Sequence, residues 1–212
     1  MDGELFFQLL LSEIQLGAGD PGGAYSLVLD AARRTNRQEL YGRAVDIALQ
    51  ARSGDAALTA ARAWAEAFPA DTEPHRYVLQ ILLALNRPAE LASTLSRLIE
   101  LTPSAERAGL IQAIPQTLAR TSDKAAALAA AQQALTTSLA PTAPASTRAA
   151  ALTALGRMQL ANEQPDAALA NARSAATADP NYPPAALLAL ELMGQGRAEA
   201  EPLVLAHLER TS

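Results

Sequence analysis

Residues 152–180, LTALGRMQLANEQPDAALANARSAATADP, decide the fold. Leu152, Leu155 and the small Gly156 open one helical run. Pro165 punctuates it, and Ala168, Ala172 and Ala175 return at helical spacing before Pro180 ends the second run. Apolar residues three and four apart place one stripe along each helix, and the small residues sit where two backbones can approach closely. The stretch therefore predicts a pair of helices joined by a tight turn.

The same signature recurs outward from this point. Ala24, Val28 and Ala31 form one string, Ala57, Ala61 and Trp64 the next, and Leu91, Leu95 and Leu98 a third. The step from Ala24 to Ala57 is 33 and from Ala57 to Leu91 is 34, and Pro69 to Pro103 is also 34. Ala127, Ala131 and Ala134 follow 36 after Leu91, and Ala168 comes 41 after Ala127. The extra length falls in residues 139–147, LAPTAPAST, whose prolines break a helix. Residues 1–138 are expected to hold repeats one to four, 139–147 a Pro/Thr/Ser loop, and 148–212 repeat five and a partial sixth continuous with the first part. A fixed period of this size means units that cannot bury their apolar flanks alone and must stack.

Composition agrees. Half of the residues are hydrophobic but only 4% are aromatic, and alanine is about a quarter of the chain, far above ordinary usage. Such a chain makes closely packed helices, not sheets, and the expected class is all-α. The net charge is −5 with Lys124 the only lysine, and no basic stripe exists to neutralise a phosphate backbone, so no nucleic-acid partner is expected. With no cysteine, thiolate metal sites, thiol catalysis and disulfides are excluded. No apolar run approaches the ~20 residues that span a bilayer. The apolar start, residues 1–11, carries Asp2 and Glu4 where a secretory leader needs a cation, and is expected to be the first helix of the fold.

The pattern resembles the tetratricopeptide repeat, a helix-turn-helix of 34 residues with the signature W-x2-L-G-x2-Y, A-x3-F and P. The match runs through Tyr41, Ala44, Ala48, Ala57, Ala61 and Pro69, through Val78, Leu82, Leu91, Leu95 and Pro103, and through Leu155, Gly156, Ala168, Ala172 and Pro180. It weakens in repeat four, where Pro115 takes the small position. The resemblance implies a right-handed superhelical solenoid of antiparallel helix pairs. Its concave face would be lined by the first helix of each pair and used to hold a protein or peptide. Residues at the groove positions are then Phe6, Leu9, Leu10 and Glu13, followed by Arg43, Asp46 and Gln50, and by Arg76, Tyr77 and Gln80. Gln112, Gln116 and Arg120 come next, then Arg157 and Glu191. Arg43, Arg76, Tyr77, Arg120 and Arg157 are the expected peptide contacts, because Arg and Tyr combine area with directed hydrogen bonds. The Lys/Asn/Lys/Arg set of the carboxylate-clamp subclass is missing: Leu9, Glu13, Gly42, Asp46, Arg76 and Gln80 stand in its places.

Residues 4–14, ELFFQLLLSEI, with Gly19-Asp20, residues 29–35, LDAARRT, and residues 43–49, RAVDIAL, are more particular. They resemble the N-terminal region of proteobacterial tetratricopeptide proteins, many of them outer-membrane lipoproteins. One branch of these is an adaptor and activator of a periplasmic C-terminal-processing protease. This resemblance implies a periplasmic or outer-membrane-associated adaptor, with a cytoplasmic location as the alternative. The bare apolar flank of the first helix, with Phe6, Leu9 and Leu10, is a further docking or self-association surface.

Catalysis finds no foothold. His75 and His207 lie on different repeats; no H-E-x-x-H, G-x-S-x-G or phosphate-loop element occurs, and residues 17–23, GAGDPGG, follow a helix and lack a lysine. Neither an enzyme nor a cofactor is expected. The alternatives are an accessory domain of a larger enzyme and a purely structural spacer.

Overall fold

The computed structural model describes residues 3–211, and every regular element among them is helical. Two compact units divide the chain between Leu85 and Asn86. The first holds α1 (Gly3–Gly17), α2 (Pro21–Thr35), α3 (Gln38–Gln50), α4 (Gly54–Ala67) and α5 (Thr72–Ala84). The second begins with a short 3-10 turn, Pro88–Glu90, followed by α6 (Leu91–Leu101), α7 (Ser104–Leu118) and α8 (Lys124–Ala134). It continues with α9 (Ala145–Ala161), α10 (Pro165–Ala178), α11 (Pro183–Gly194) and, after a second 3-10 turn, α12 (Glu201–Thr211). Asp2, weighed above against a leader, lies outside the described residues; Gly3 onward forms the first helix, as expected.

The helix ends follow local chemistry. Asp20 caps α2 by accepting the Gly23 amide at 3.0 Å, with Pro21 pre-set at the first helical position. Asp123 caps α8 through the Ala126 amide at 2.8 Å. Asn36 closes α2 with φ 49°, a left-handed conformation that asparagine tolerates.

In the first unit each helix packs on the next: α1 on α2, α2 on α3, α3 on α4 and α4 on α5. The seam is lined by Ala24, Ala31, Ala44, Ala48, Ala57, Ala60 and Ala61, all buried, with Val28, Val45, Ile47 and Trp64 filling the wider places. Side chains this small cost little rotamer entropy and let helices meet along their backbones. The Tyr25 hydroxyl donates to the Ala56 carbonyl at 2.9 Å, tying α2 to α4. Tyr41 meets Phe68 edge to face, centroids 6.1 Å apart.

The second unit is built round α9, which packs against α7, α8, α10 and α11 and buries residues on every side. Its partner α10 closes against Gly156, the small position of the quoted stretch. A Cβ there would lie 2.5 Å from Leu188 Cδ2 and 3.4 Å from the Ala168 carbonyl oxygen. Leu188 of α11 occupies that space and is fully buried with Leu192, Ala172 and Ala189.

Repeat four departs from the pair-by-pair pattern. Here α7 packs chiefly on α9, and α8 on α6 and the 3-10 turn, rather than the two on one another. Pro115 stands inside α7 at the position where other repeats put a small residue. An apolar recess of about 260 Å³ opens between Pro115 and Leu118 of α7, Ala127 of α8, and Met158 and Ala161 of α9. The linker also differs from expectation: Pro144 ends it and Ala145, Ser146 and Thr147 already belong to α9. The chain continues across the linker within one compact unit, and the division between units falls in the third repeat, before Asn86. The Asn86 side chain accepts from the Ser122 amide at 3.1 Å and donates to the Ser122 hydroxyl.

Candidate functional site

Three of the expected groove residues converge in the first unit. Arg43 and Asp46 of α3 and Tyr77 of α5 line one open recess of about 430 Å³ with Gln38, Glu39, Gly42 and Glu73. Trp64 of α4 shares that lining although it is only 3% exposed. It stacks obliquely on Tyr77, ring centroids 5.4 Å apart, and its indole passes 3.6 Å from where a Gly42 Cβ would sit. Glycine at position 42 thus lets α3 approach the ring.

The charges of this recess are unequal. Arg43 donates to Glu13 at 2.9 Å, so its charge is already answered by α1. Among the described residues Glu39, Asp46 and Glu73 have no ion pair, which leaves an acidic rim. The buried Trp64 Nε1 has no hydrogen-bond partner. A buried donor left unpaired costs about 1–3 kcal/mol until an acceptor reaches it. A carboxylate rim beside the rings of Trp64 and Tyr77 suits a ligand carrying cations.

The other expected contacts are dispersed. Arg76 and Gln80 lie exposed on α5 and do not line the recess. Gln116 is exposed on α7, and Arg120 falls beyond the end of that helix, in the turn after Ala119. Arg157 pairs with Glu191 at 3.1 Å, joining α9 to α11 as Arg43 joins α3 to α1. These two arginines brace successive first helices; sequence position alone did not separate bracing from contact. Trp64, Glu39 and Glu73 were missed as site residues. The indole sits on a second helix, and only the small Gly42 opposite hints that it reaches through. Phe6 and Leu10 on α1 are exposed and Leu9 is partly covered.

In the second unit, Tyr182 lies just before α11 near Gln112 of α7 and Arg157 of α9. Its hydroxyl, Gln112 Nε2 and Arg157 Nε are all buried without partners. Burial pushes the Tyr182 hydroxyl up to about 12, with Gln112 and Arg157 pulling the other way. The neutral phenol is favoured in the fold, so its contribution to stability is full below pH 10 and is lost as pH rises towards 12. The side chain as a whole is only partly covered, so the loss is modest. Denaturant midpoints taken between about pH 9 and pH 11.5 should fall for the wild type and fall less for Tyr182→Phe. Equal slopes would remove Tyr182 as the titrating group.

Among the described residues no three His, Cys, Asp or Glu side chains converge as metal ligands, and no helix is long and apolar enough to cross a membrane. His75 Nε2 lies 3.2 Å from the Pro69 carbonyl, a contact that belongs to the turn before α5.

Paired helices, the earlier ones at a period of 33 to 34 with small residues at the crossings, define an all-α fold of the solenoid kind. No protein-family model and no curated protein matches the sequence. Among solved structures, the chain is similar to the MamA protein, at 20% identity and a TM-score of 0.42 over 81% of this chain and 90% of that one. It is similar also to PilW, described as a widely conserved type IV pilus biogenesis factor, at 16% identity and a TM-score of 0.40 over 99% and 91%. A third is YrrB, described as a tetratricopeptide protein with an unusual peptide-binding site, at 15% identity and a TM-score of 0.39 over 84% and 88%.

Proposed function

We propose that this chain is a non-catalytic protein-interaction scaffold, and that its first unit holds an extended, positively charged peptide segment in the recess around Trp64. The observation that carries this reading is an open recess of about 430 Å³ walled by Trp64 and Tyr77 and rimmed by Glu39, Asp46 and Glu73, which have no ion pair among the described residues. Lys or Arg side chains of the peptide would meet the rim and lie against the aromatic rings. Tyr77 adds an aromatic wall. This differs from the arginine-led recognition expected from sequence, since Arg43 is spent on Glu13.

Fluorescence anisotropy with a labelled Lys/Arg-rich peptide tests it, against a Glu-rich peptide of equal length. Binding should be saturable, should weaken with salt, and should fall about tenfold or more in the triple variant Glu39→Gln/Asp46→Asn/Glu73→Gln. Equal binding of both peptides, or an unaffected triple variant, would refute it.

The N-terminal resemblance, through residues 4–14 and 43–49, supports a finer reading: an adaptor of a periplasmic protease or envelope complex, located in the periplasm or at the outer membrane. Cell fractionation with co-precipitation tests this; cytoplasmic recovery without a protease would end it.

A further inference from the structure

Eight of the nine exposed large hydrophobic residues among those described lie on three helices: Phe6, Phe7, Leu10 and Ile14 on α1, Leu187 and Leu190 on α11, and Leu205 and Leu208 on α12. Repeat register explains why. Phe7 and Ile14 are 65% and 59% exposed. Thirty-three residues later the same positions hold Leu40, half-buried, and Ile47, buried; a further 34 along stand Pro74 and Ile81, both buried. In the second unit they are Ala151 and Met158, then Ala185 and Leu192, again all buried. Each of those later first helices has the second helix of a preceding pair packed on it: α2 on α3, α4 on α5, α8 on α9, α10 on α11. Among the described residues α1 has none. Its bare face is the repeat-to-repeat stacking surface, uncovered.

The complementary surface is also on the page. Leu188 packs over Gly156, joining α11 to α9. Leu10 shares the register of Leu188, and Leu190, 34 residues after Gly156, shares the register of that glycine. Leu10 is 48% exposed and Leu190 54%. Helix α12 buries no residue fully among those described, so α11 and α12 present the face on which a further first helix would stack.

We propose that the chain self-associates head to tail, the bare apolar face of α1 in one copy stacking on α11 and α12 of the next. The two bare faces stand on opposite sides of one repeat register, so the occupant that fits both is a second copy of this chain. Four exposed large apolar side chains on each face make a small contact beside the ~800 Å² per partner of a standard stable interface, so association in the micromolar range is expected. A contact between unlike faces builds closed rings where the rotation closes and open chains where it does not.

Sedimentation velocity of the full chain over a micromolar concentration series is the test, with dichroism to check folding. The wild-type mass should rise with concentration. Leu10→Asp and Leu190→Asp should each be monomeric, association weakening at least ~100-fold. Mixed together, the two should form a one-to-one dimer and nothing larger, since only one head and one tail remain intact. Phe7→Glu should serve in place of Leu10→Asp with the same result. A monomeric wild type at every concentration would overturn the proposal and leave the faces to another protein. Leu190→Asp that still dimerises would overturn it in favour of a symmetric α1–α1 contact. Peptide binding to the recess plays no part in these readings, so the two proposals fail separately.

Discussion

Replacing Trp64 with alanine is expected to destabilise the first unit by about 3–5 kcal/mol. The indole is the largest buried side chain of that seam, held between Gly42 of α3 and Tyr77 of α5. The other buried residues of α4 are mostly alanines, too short to fill the cavity left behind. The loss should appear as a lowered denaturant midpoint by far-ultraviolet dichroism. Trp64→Phe should retain most of that stability, because an aromatic ring still fills most of the space. A cost below about 1 kcal/mol for Trp64→Ala would mean that the helices of this unit do not depend on the indole for their spacing.

The second large effect is expected at Gly156. Glycine in a helix interior ordinarily gains about 1 kcal/mol on replacement by alanine. Here a Cβ would fall 2.5 Å from Leu188 Cδ2, and Leu188 is itself fully buried among Ala168, Leu169 and Leu192. Valine adds two more carbons to a space with no room, so Gly156→Val should cost about 2–3 kcal/mol despite its better backbone entropy. Leu188→Ala alone should cost about 2–4 kcal/mol through its cavity. Together the two should cost less than their sum by about 1–2 kcal/mol, because the truncated Leu188 makes room for the valine. Additive costs in equilibrium unfolding would show that the two side chains do not meet.

Both effects concern positions where the sequence was readable. Gly156, Ala168 and Ala172 announced a crossing of two helices, because only small residues fit where backbones approach. The period then carried that crossing to Ala24, Ala44, Ala57 and Ala61, all buried as a stack requires. Less legible was repeat four. Pro115 signalled trouble, but whether α7 would pair with α8 or with α9 depended on competition between long-range contacts. The loop was overextended by three residues because Ser146 and Thr147 read as linker, whereas Thr147 is buried in the first turn of α9. The candidate site was legible only in part. Groove positions identify which residues lie on an inner face, not which carboxylate answers which guanidinium. Arg43 and Arg157 looked like free anchors, and the Glu13 and Glu191 that hold them are 30 and 34 residues away. Trp64 was invisible as a contact because it belongs to the helix behind that face.

Trp64 is the only tryptophan of the chain, so its emission reports the recess with no competing signal. The most direct test is therefore a titration of the full chain with the Lys/Arg-rich peptide, followed by intrinsic fluorescence at low salt. The emission should change saturably, with a midpoint that moves to higher peptide concentration as salt is added and a response lost in the Glu39/Asp46/Glu73 amide variant. An unchanged emission spectrum, accompanied by binding seen by calorimetry, would place the peptide elsewhere; no binding by either measurement would contradict the scaffold reading of this recess outright.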